Sequence, residues 1–387
     1  MNPTERIIRT LEGKPVDRVP VMCAGFEDRA VNEVFGKPLI PPKILLRNPL
    51  MKYIMNNHHK LSASIARSAI NGGMDKHLSA ATKLGYDAMW LVSGENLFIM
   101  DYDTLANING MIYNLIDDGF GNMSYMYREP AITSKEAFDA WQYFENPDDY
   151  AQRLYKFYSK MQAKHGENLC IMGCPCSGLQ ESMLCAVGFG RMPLWIRKEK
   201  ELVKRYNDWC SELVFKGTMA ILDAGVKVIL QGDDFAQKTG PFFSPKIIEE
   251  LFGSHYRKIV DAVHSRGAKI ILHSCGDNTV LFDMLINWGF DGFHAYETTS
   301  TVDIFKEKEL HGSMTTIVGG VGVDYILSDR SSDDEVVDEV KRLIRGLAPG
   351  GRFILAAGHS LSSVPASKMK LMVDVAHEFG QYPIDAS

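Results

Sequence analysis

The chain has 387 residues, 45% of them hydrophobic and 23% charged, with a formal net charge of −6. This is ordinary globular composition, and without a long basic run it argues against nucleic acid, whose phosphates need clustered Lys and Arg. No apolar stretch reaches the ~18 residues of a membrane span, and no apolar signal core follows the opening Met-Asn-Pro-Thr-Glu-Arg, so a cytoplasmic location is expected.

Short β-branched runs alternate with amphipathic helical stretches, most clearly in the carboxyl-terminal two-thirds, which is the pattern of a parallel α/β protein. The predicted strands are Arg18–Ala24, Ala88–Val92, Leu169–Gly173, Val226–Gln231, Lys269–His273, Gly292–Ala295, Thr315–Gly319 and Arg352–Ala356. Eight strands are what a (β/α)8 TIM barrel needs to close. Predicted helices include Pro245–Arg266, with Phe252, His255, Tyr256 and Ile259 at helical spacing. Another is Asp333–Leu347, with a buried stripe of Val336, Val340, Leu343 and Leu347. Gly267, Gly289 and Gly346 are expected at or near helix C-caps. Region 25–85 has weak strand signal and a helix-like segment at Lys60–Gly72, and is expected to cap the barrel mouth. Residues 96–167 form a second decoration, with turn signals at Asn109-Gly110 and Asp117–Gly121. With no internal repeat, residues 1–387 are expected to make one elaborated barrel domain.

The residues that follow the strands carry the chemistry. Strand two runs into Ser93-Gly94-Glu95, strand three into Cys174-Pro175-Cys176 and strand four into Gly232-Asp233-Asp234. Strand five ends at His273 with Cys275 beyond, strand six runs into Tyr296-Glu297, and strand eight into Gly358-His359. Polar and ligating groups thus gather on the side where barrel active sites lie. His273 and Cys275 are two apart, so both side chains can enter the mouth together. With His359 they make a donor set suited to zinc, whose remaining position is open or held by Asp233, Asp234 or Glu297.

Of the two aspartates, one can cap the turn while the other serves as ligand or proton acceptor. Glu297 can bind metal or substrate. His294 shares a strand face with Tyr296 by alternation and is expected to pack. Cys174, Cys176 and Glu95 are candidates for lining the substrate pocket. The seven cysteines show no disulfide framework, and the single residue between Cys174 and Cys176 rules out a CxxC redox motif. Neither a phosphate loop nor a Gly-x-Ser-x-Gly elbow occurs.

At three places the chain resembles the uroporphyrinogen decarboxylase superfamily, specifically its cobalamin-dependent methyltransferase branch. These are Pro3-Thr4-Glu5-Arg6 with Pro15-Val16-Asp17-Arg18-Val19-Pro20, then Gly232-Asp233-Asp234 with Gly240-Pro241-Phe242-Phe243-Ser244-Pro245, and finally His273-Ser274-Cys275-Gly276. The last is similar to the His-x-Cys of that branch's zinc site. The resemblance implies a zinc enzyme that moves a methyl group from a small methylated donor to the cobalamin of a separate corrinoid protein. No Asp-x-His-x-x-Gly pattern occurs in the chain, so the cobalamin is expected in trans.

Two departures refine the expectation. The decarboxylases carry an Arg-rich segment after the first strand, where this chain has Met22-Cys23-Ala24-Gly25-Phe26-Glu27-Asp28-Arg29; only a shifted Arg29 could serve a polyanion. The coenzyme M-methylating members use a second Cys where this chain has His359. A more His-rich zinc is a better Lewis acid, which suits an aryl methyl ether donor and O-demethylation. A thiol methyltransferase of the coenzyme M type, a decarboxylating lyase and a non-catalytic corrinoid-protein scaffold are the alternatives.

Overall fold

The computed structural model describes residues 1–25, 28–36, 49–50, 53–54, 59–92, 97–101, 103–117, 123–296, 300–359 and 364–384. Eight parallel strands close a barrel: β1 (Val21–Cys23), β2 (Ala88–Val92), β7 (Cys170–Cys174), β8 (Val228–Gly232), β11 (Lys269–His273), β12 (Gly292–Tyr296), β13 (Thr316–Val321) and β14 (Phe353–Ala357). β14 pairs with β1, and helices fill most of the connections. All eight predicted strands are present. Two have the expected ends, and the others differ by one to three residues at an end.

The strands read as continuous apolar runs because both faces are buried. Met22, Ala88, Met172, Val228, Leu230, Ile271, Val318 and Ile354 fill the barrel interior, while Val21, Leu91, Ile229, Leu272, Ile317 and Leu355 face the surrounding helices. The interior is closed below by Ile7 and Leu11 of the helix Pro3–Leu11. That helix begins at Asn2, whose side chain accepts from the Glu5 amide at 2.8 Å, with Pro3 at its first position.

The amino-terminal motif is a structural clasp. The Arg6 guanidinium forks onto both Asp17 oxygens at 2.7 Å and reaches Asp87 at 2.6 Å, and Arg18 holds Asp87 at 2.6 and 2.8 Å. The floor helix, the entry to β1 and the entry to β2 are therefore tied together.

Between β2 and β7, within the decoration expected at 96–167, lies an antiparallel meander. Its strands are β3 (Leu97–Asp101), β4 (Thr104–Asn107), β5 (Met111–Asp117) and β6 (Met123–Pro130). The expected turn at Asn109-Gly110 joins β4 to β5, with the Asn107 side chain accepting from the Asn109 and Met111 amides at 3.0 and 2.9 Å. The turn signal at 117–121 falls mostly outside the described residues. The meander leans on the helix Leu179–Val187, where Tyr127 donates to the Cys185 carbonyl at 2.8 Å. A short pair, β9 (Ala236–Gln237) with β10 (Gly240–Pro241), follows β8.

In region 25–85 the helix-like segment extends to His59–Leu84. The predicted Pro245–Arg266 helix runs to Ser265 with a π-helical turn at Glu249–Gly253, and Asp333–Leu347 is as expected, with its stripe buried and a Ser332/Glu335 capping box. Gly346 is not a cap: it lies inside that helix, where an added Cβ would come 2.3 Å from the Phe305 ring. The position is glycine because the preceding helix, Ile304–His311, packs onto it.

Candidate metal centre at the barrel mouth

His273 is the last residue of β11, and strand register places it beside Gly232 on one side and His294 on the other. It continues the inward row of Lys269 and Ile271, so its ring enters the upper end of the barrel. Trp90, from β2, covers the packed interior beneath. Its indole N–H donates to the Leu230 carbonyl at 3.1 Å, and its ring centroid is 4.7 Å from that of His273.

The segment after β11 is a tight turn fixed from inside. The Asn278 amide donates to the carbonyls of Ser274 and Cys275 at 3.1 Å and of Gly276 at 3.4 Å. The Ser274 hydroxyl, which bonds Asn278, also accepts from the Phe235 amide at 3.0 Å. Gly276 has φ of +81°, and a Cβ there would meet the Gln237 carbonyl oxygen at 2.5 Å. Glycine is required for both reasons. The turn presents Cys275 next to His273, with Sγ 3.5 Å from Nε2.

The two aspartates divide as the sequence allowed. Asp233 is buried and points away from the mouth, accepting from the Gln180 and Glu181 amides at 3.0 and 2.8 Å and from the Tyr256 hydroxyl at 2.7 Å. It thereby caps the helix Leu179–Val187, whose own N-cap residue, Gly178, has no side chain to do so. The approach is so close that a Cβ on Gly178 would lie 2.1 Å from Asp233. Burial pushes the Asp233 carboxyl up to about 7, against the opposing effect of these hydrogen bonds.

Asp234 turns the other way. Its Oδ1 accepts from the Cys275 amide at 2.8 Å and lies 3.8 Å from His273 Nε2. Burial raises its pKa, with the bonds from Cys275 acting in the opposite direction. One donor atom from each of Asp234, His273 and Cys275 falls within 4.8 Å of the others, and this is a group that could hold a metal ion.

His359 follows β14 on the same rim, but it is not part of that converged group. Its Nε2 is 3.7 Å from Asp324 Oδ1. It is near enough that its charge, after burial, lowers the pKa of His273, which is pushed down to about 4. Cys174 and Cys176 are both buried. Cys174 ends β7, with its thiol on the Cys176 carbonyl at 3.4 Å. Cys176 packs in the outer core between sheet and helices rather than into the mouth, because the chain has already turned out of the strand there. Glu95 and Glu297 lie outside the described residues.

Tyr296 departs from the expectation that it shares a strand face with His294. Ala295 has φ of +80°, and the β12–β13 register shifts between His294 and Tyr296. This bulge breaks the period of two. Tyr296 stacks on Phe282 in the outer core, at 5.7 Å between centroids. His294, ahead of the bulge and paired with inward Val318, keeps the inward face, where its Nδ1 is 2.6 Å from His273 Nδ1 and its Nε2 is 3.0 Å from the Ala357 carbonyl. The sequence reading missed its partnership with His273, as well as the parts played by Trp90, Ser274 and Asn278. The bulge has no signal in the residue types of β12.

The donor set fits zinc: carboxylate, imidazole and thiolate are all common zinc ligands, and the group sits at a strand-end mouth. Residues 125–379 match the family model of uroporphyrinogen decarboxylase (URO-D). Two curated relatives are named methylcobamide:CoM methyltransferase MtaA. The one from Methanosarcina barkeri (strain Fusaro / DSM 804) is 25% identical over 384 residues, covering 97% of each chain, and another from Methanosarcina barkeri is 23% identical over the same span. Among solved structures, a methyltransferase from Methanosarcina mazei shares the fold, with a TM-score of 0.69 at 20% identity over 98% of this chain and 99% of that one. The chain belongs to the uroporphyrinogen decarboxylase family, in its corrinoid-dependent methyltransferase branch.

Proposed function

We propose that this protein transfers a methyl group from an aryl methyl ether to the cobalamin of a separate corrinoid protein, using zinc held at the barrel mouth. The observation that carries this reading is the convergence of Asp234, His273 and Cys275 within 4.8 Å. Zinc bound there supplies Lewis acidity toward an oxygen or sulfur of the substrate. His359, beyond the end of β14 on the same rim, is a further candidate ligand from this chain.

The protein's own residues define how a donor reaches the site. The barrel below is packed solid and covered by Trp90, so substrate enters from the carboxyl-terminal side, where the corrinoid protein docks. The side chains that hold the metal are fixed by backbone contacts: Asp234 by the Cys275 amide, and the Cys275 turn by Asn278. Such anchoring keeps the donor atoms placed through a reaction cycle.

A polyanionic substrate is disfavoured. Arg29, the candidate cation after β1, is engaged by Asp329 at 2.8 and 3.1 Å and by Glu33 at 3.0 Å. The test is a methylation assay with cob(I)alamin, free or on its carrier, over methoxyaromatics, methylamines and methanol. Formation of methylcobalamin and a free phenol supports the reading. A second reading, methyl transfer from methylcobalamin to a thiol such as coenzyme M, is favoured by the names of the curated relatives. Brisk transfer to coenzyme M with methoxyaromatics inert would select it.

A further inference from the structure

The two histidines at the mouth form a directional chain of hydrogen bonds. The Ala357 carbonyl can only accept, so His294 Nε2, 3.0 Å away, carries a proton. Two N–H groups cannot face each other across the 2.6 Å that separates the Nδ1 atoms, so a single proton lies between the rings. Both rings are buried, and burial disfavours the charged form of an imidazole. In the neutral state His294 Nδ1 is bare and accepts. The proton between the rings therefore belongs to His273 Nδ1, and His273 Nε2 is left with its lone pair. That nitrogen is the one that faces Cys275 and Asp234.

We infer that His294 is a positioning residue that fixes the tautomer and ring orientation of His273, through the chain Ala357 C=O, His294, His273 Nδ1, so that Nε2 is presented to the metal. A metal-binding His commonly donates its other N–H to a carboxylate or backbone carbonyl. Here a second imidazole is interposed. Strand register makes this possible: His294 pairs with His273 across β11 and β12, and it also pairs with inward Val318 of β13. The arrangement also connects three strand ends, β11, β12 and β14, so the metal side of the mouth is set by barrel closure itself.

The inference rests on His273 being a metal ligand, and the experiment separates the two ideas. Zinc affinity is measured by competition with a chromophoric chelator for the parent, His273→Ala, His294→Leu and His294→Asn. Asparagine places a carbonyl oxygen near the position of Nδ1 and restores an acceptor. His294→Leu is expected to weaken zinc binding by about 10–100-fold, the usual effect of losing such a partner, and His294→Asn to recover most of that loss. In metal-free parent, nitrogen NMR of labelled histidine is expected to show His273 with its proton on Nδ1. Unchanged zinc binding in His273→Ala would overturn both the metal reading and the relay. Loss there, with unchanged binding in His294→Leu or no recovery in His294→Asn, would overturn the relay alone. Should the leucine variant fail to fold, the parent's tautomer and the asparagine variant decide: a proton on His273 Nε2 sinks the inference.

Discussion

Arg6 and Asp87 are 81 residues apart in sequence and meet at 2.6 Å beneath the barrel, with both side chains almost fully buried. Asp87 also binds Arg18 and accepts from the Val21 amide at 2.9 Å, so one carboxylate joins the floor helix to two strand entries. Its loss leaves two guanidinium groups short of a counter-charge. Asp87→Asn is expected to lower unfolding stability by about 3–5 kcal/mol, the scale for breaking a buried ion pair from one side. Denaturant titration with circular dichroism checks it; a change within experimental error would mean that Asp17 alone suffices for both arginines.

Asp17 gives the clasp a pH dependence. Hydrogen bonding from Arg6 holds its carboxyl well below its ordinary value of 3.8. A depressed carboxylate contributes stability above its unfolded pKa and loses it as pH falls toward the folded value. The parent is therefore expected to be more stable than Asp17→Asn at pH 7, with the gap narrowing below about pH 4. Thermal melts of both proteins across that range provide the measurement, and a constant gap would count against the linkage.

The metal reading predicts one zinc per chain in the purified protein. His273→Ala, Cys275→Ala and Asp234→Ala each remove one of the converged donors, and too few then remain to compete with buffer. Elemental analysis after dialysis is expected to show little zinc in all three. Full occupancy in the Asp234 variant alone would make that carboxylate a neighbour of the site rather than a ligand.

His359 is where this chain departs from a thiolate-rich site. His359→Cys is expected to keep zinc while lowering methyl transfer from an aryl ether, because sulfur donates more charge and weakens the pull on oxygen. Single-turnover rates with a guaiacol-type donor are the readout. A variant as fast as the parent would separate His359 from donor activation.

Asn278 holds the Cys275 turn from inside, its side-chain NH2 shared among three carbonyls. Asn278→Ala leaves buried carbonyls unpaired, at about 1–3 kcal/mol, and frees the turn that positions the thiol. A lower melting temperature together with faster loss of zinc to a chelator is expected. Normal zinc retention in a destabilised variant would confine Asn278 to a folding role.

Sequence by itself determined the eight strands and the place of the chemistry. Their β-branched runs had to be buried on both faces, and His273 and Cys275, two apart at a strand end, had to share a direction. It also allowed one of Asp233 and Asp234 to cap the turn while the other faces the mouth. Only the tertiary structure decided which one does, because Asp233 is held by the Gln180 and Glu181 amides in the first turn of the helix from Leu179, 53 and 52 residues away in sequence and close only in space. The four meander strands stayed illegible, since they pair with one another rather than with the barrel and are mixed in polarity. The face of Tyr296 was hidden for a different reason. Period-two alternation assumes a regular strand, and the bulge at Ala295 sends Tyr296 to the outer core while His294, ahead of it, stays inward beside His273.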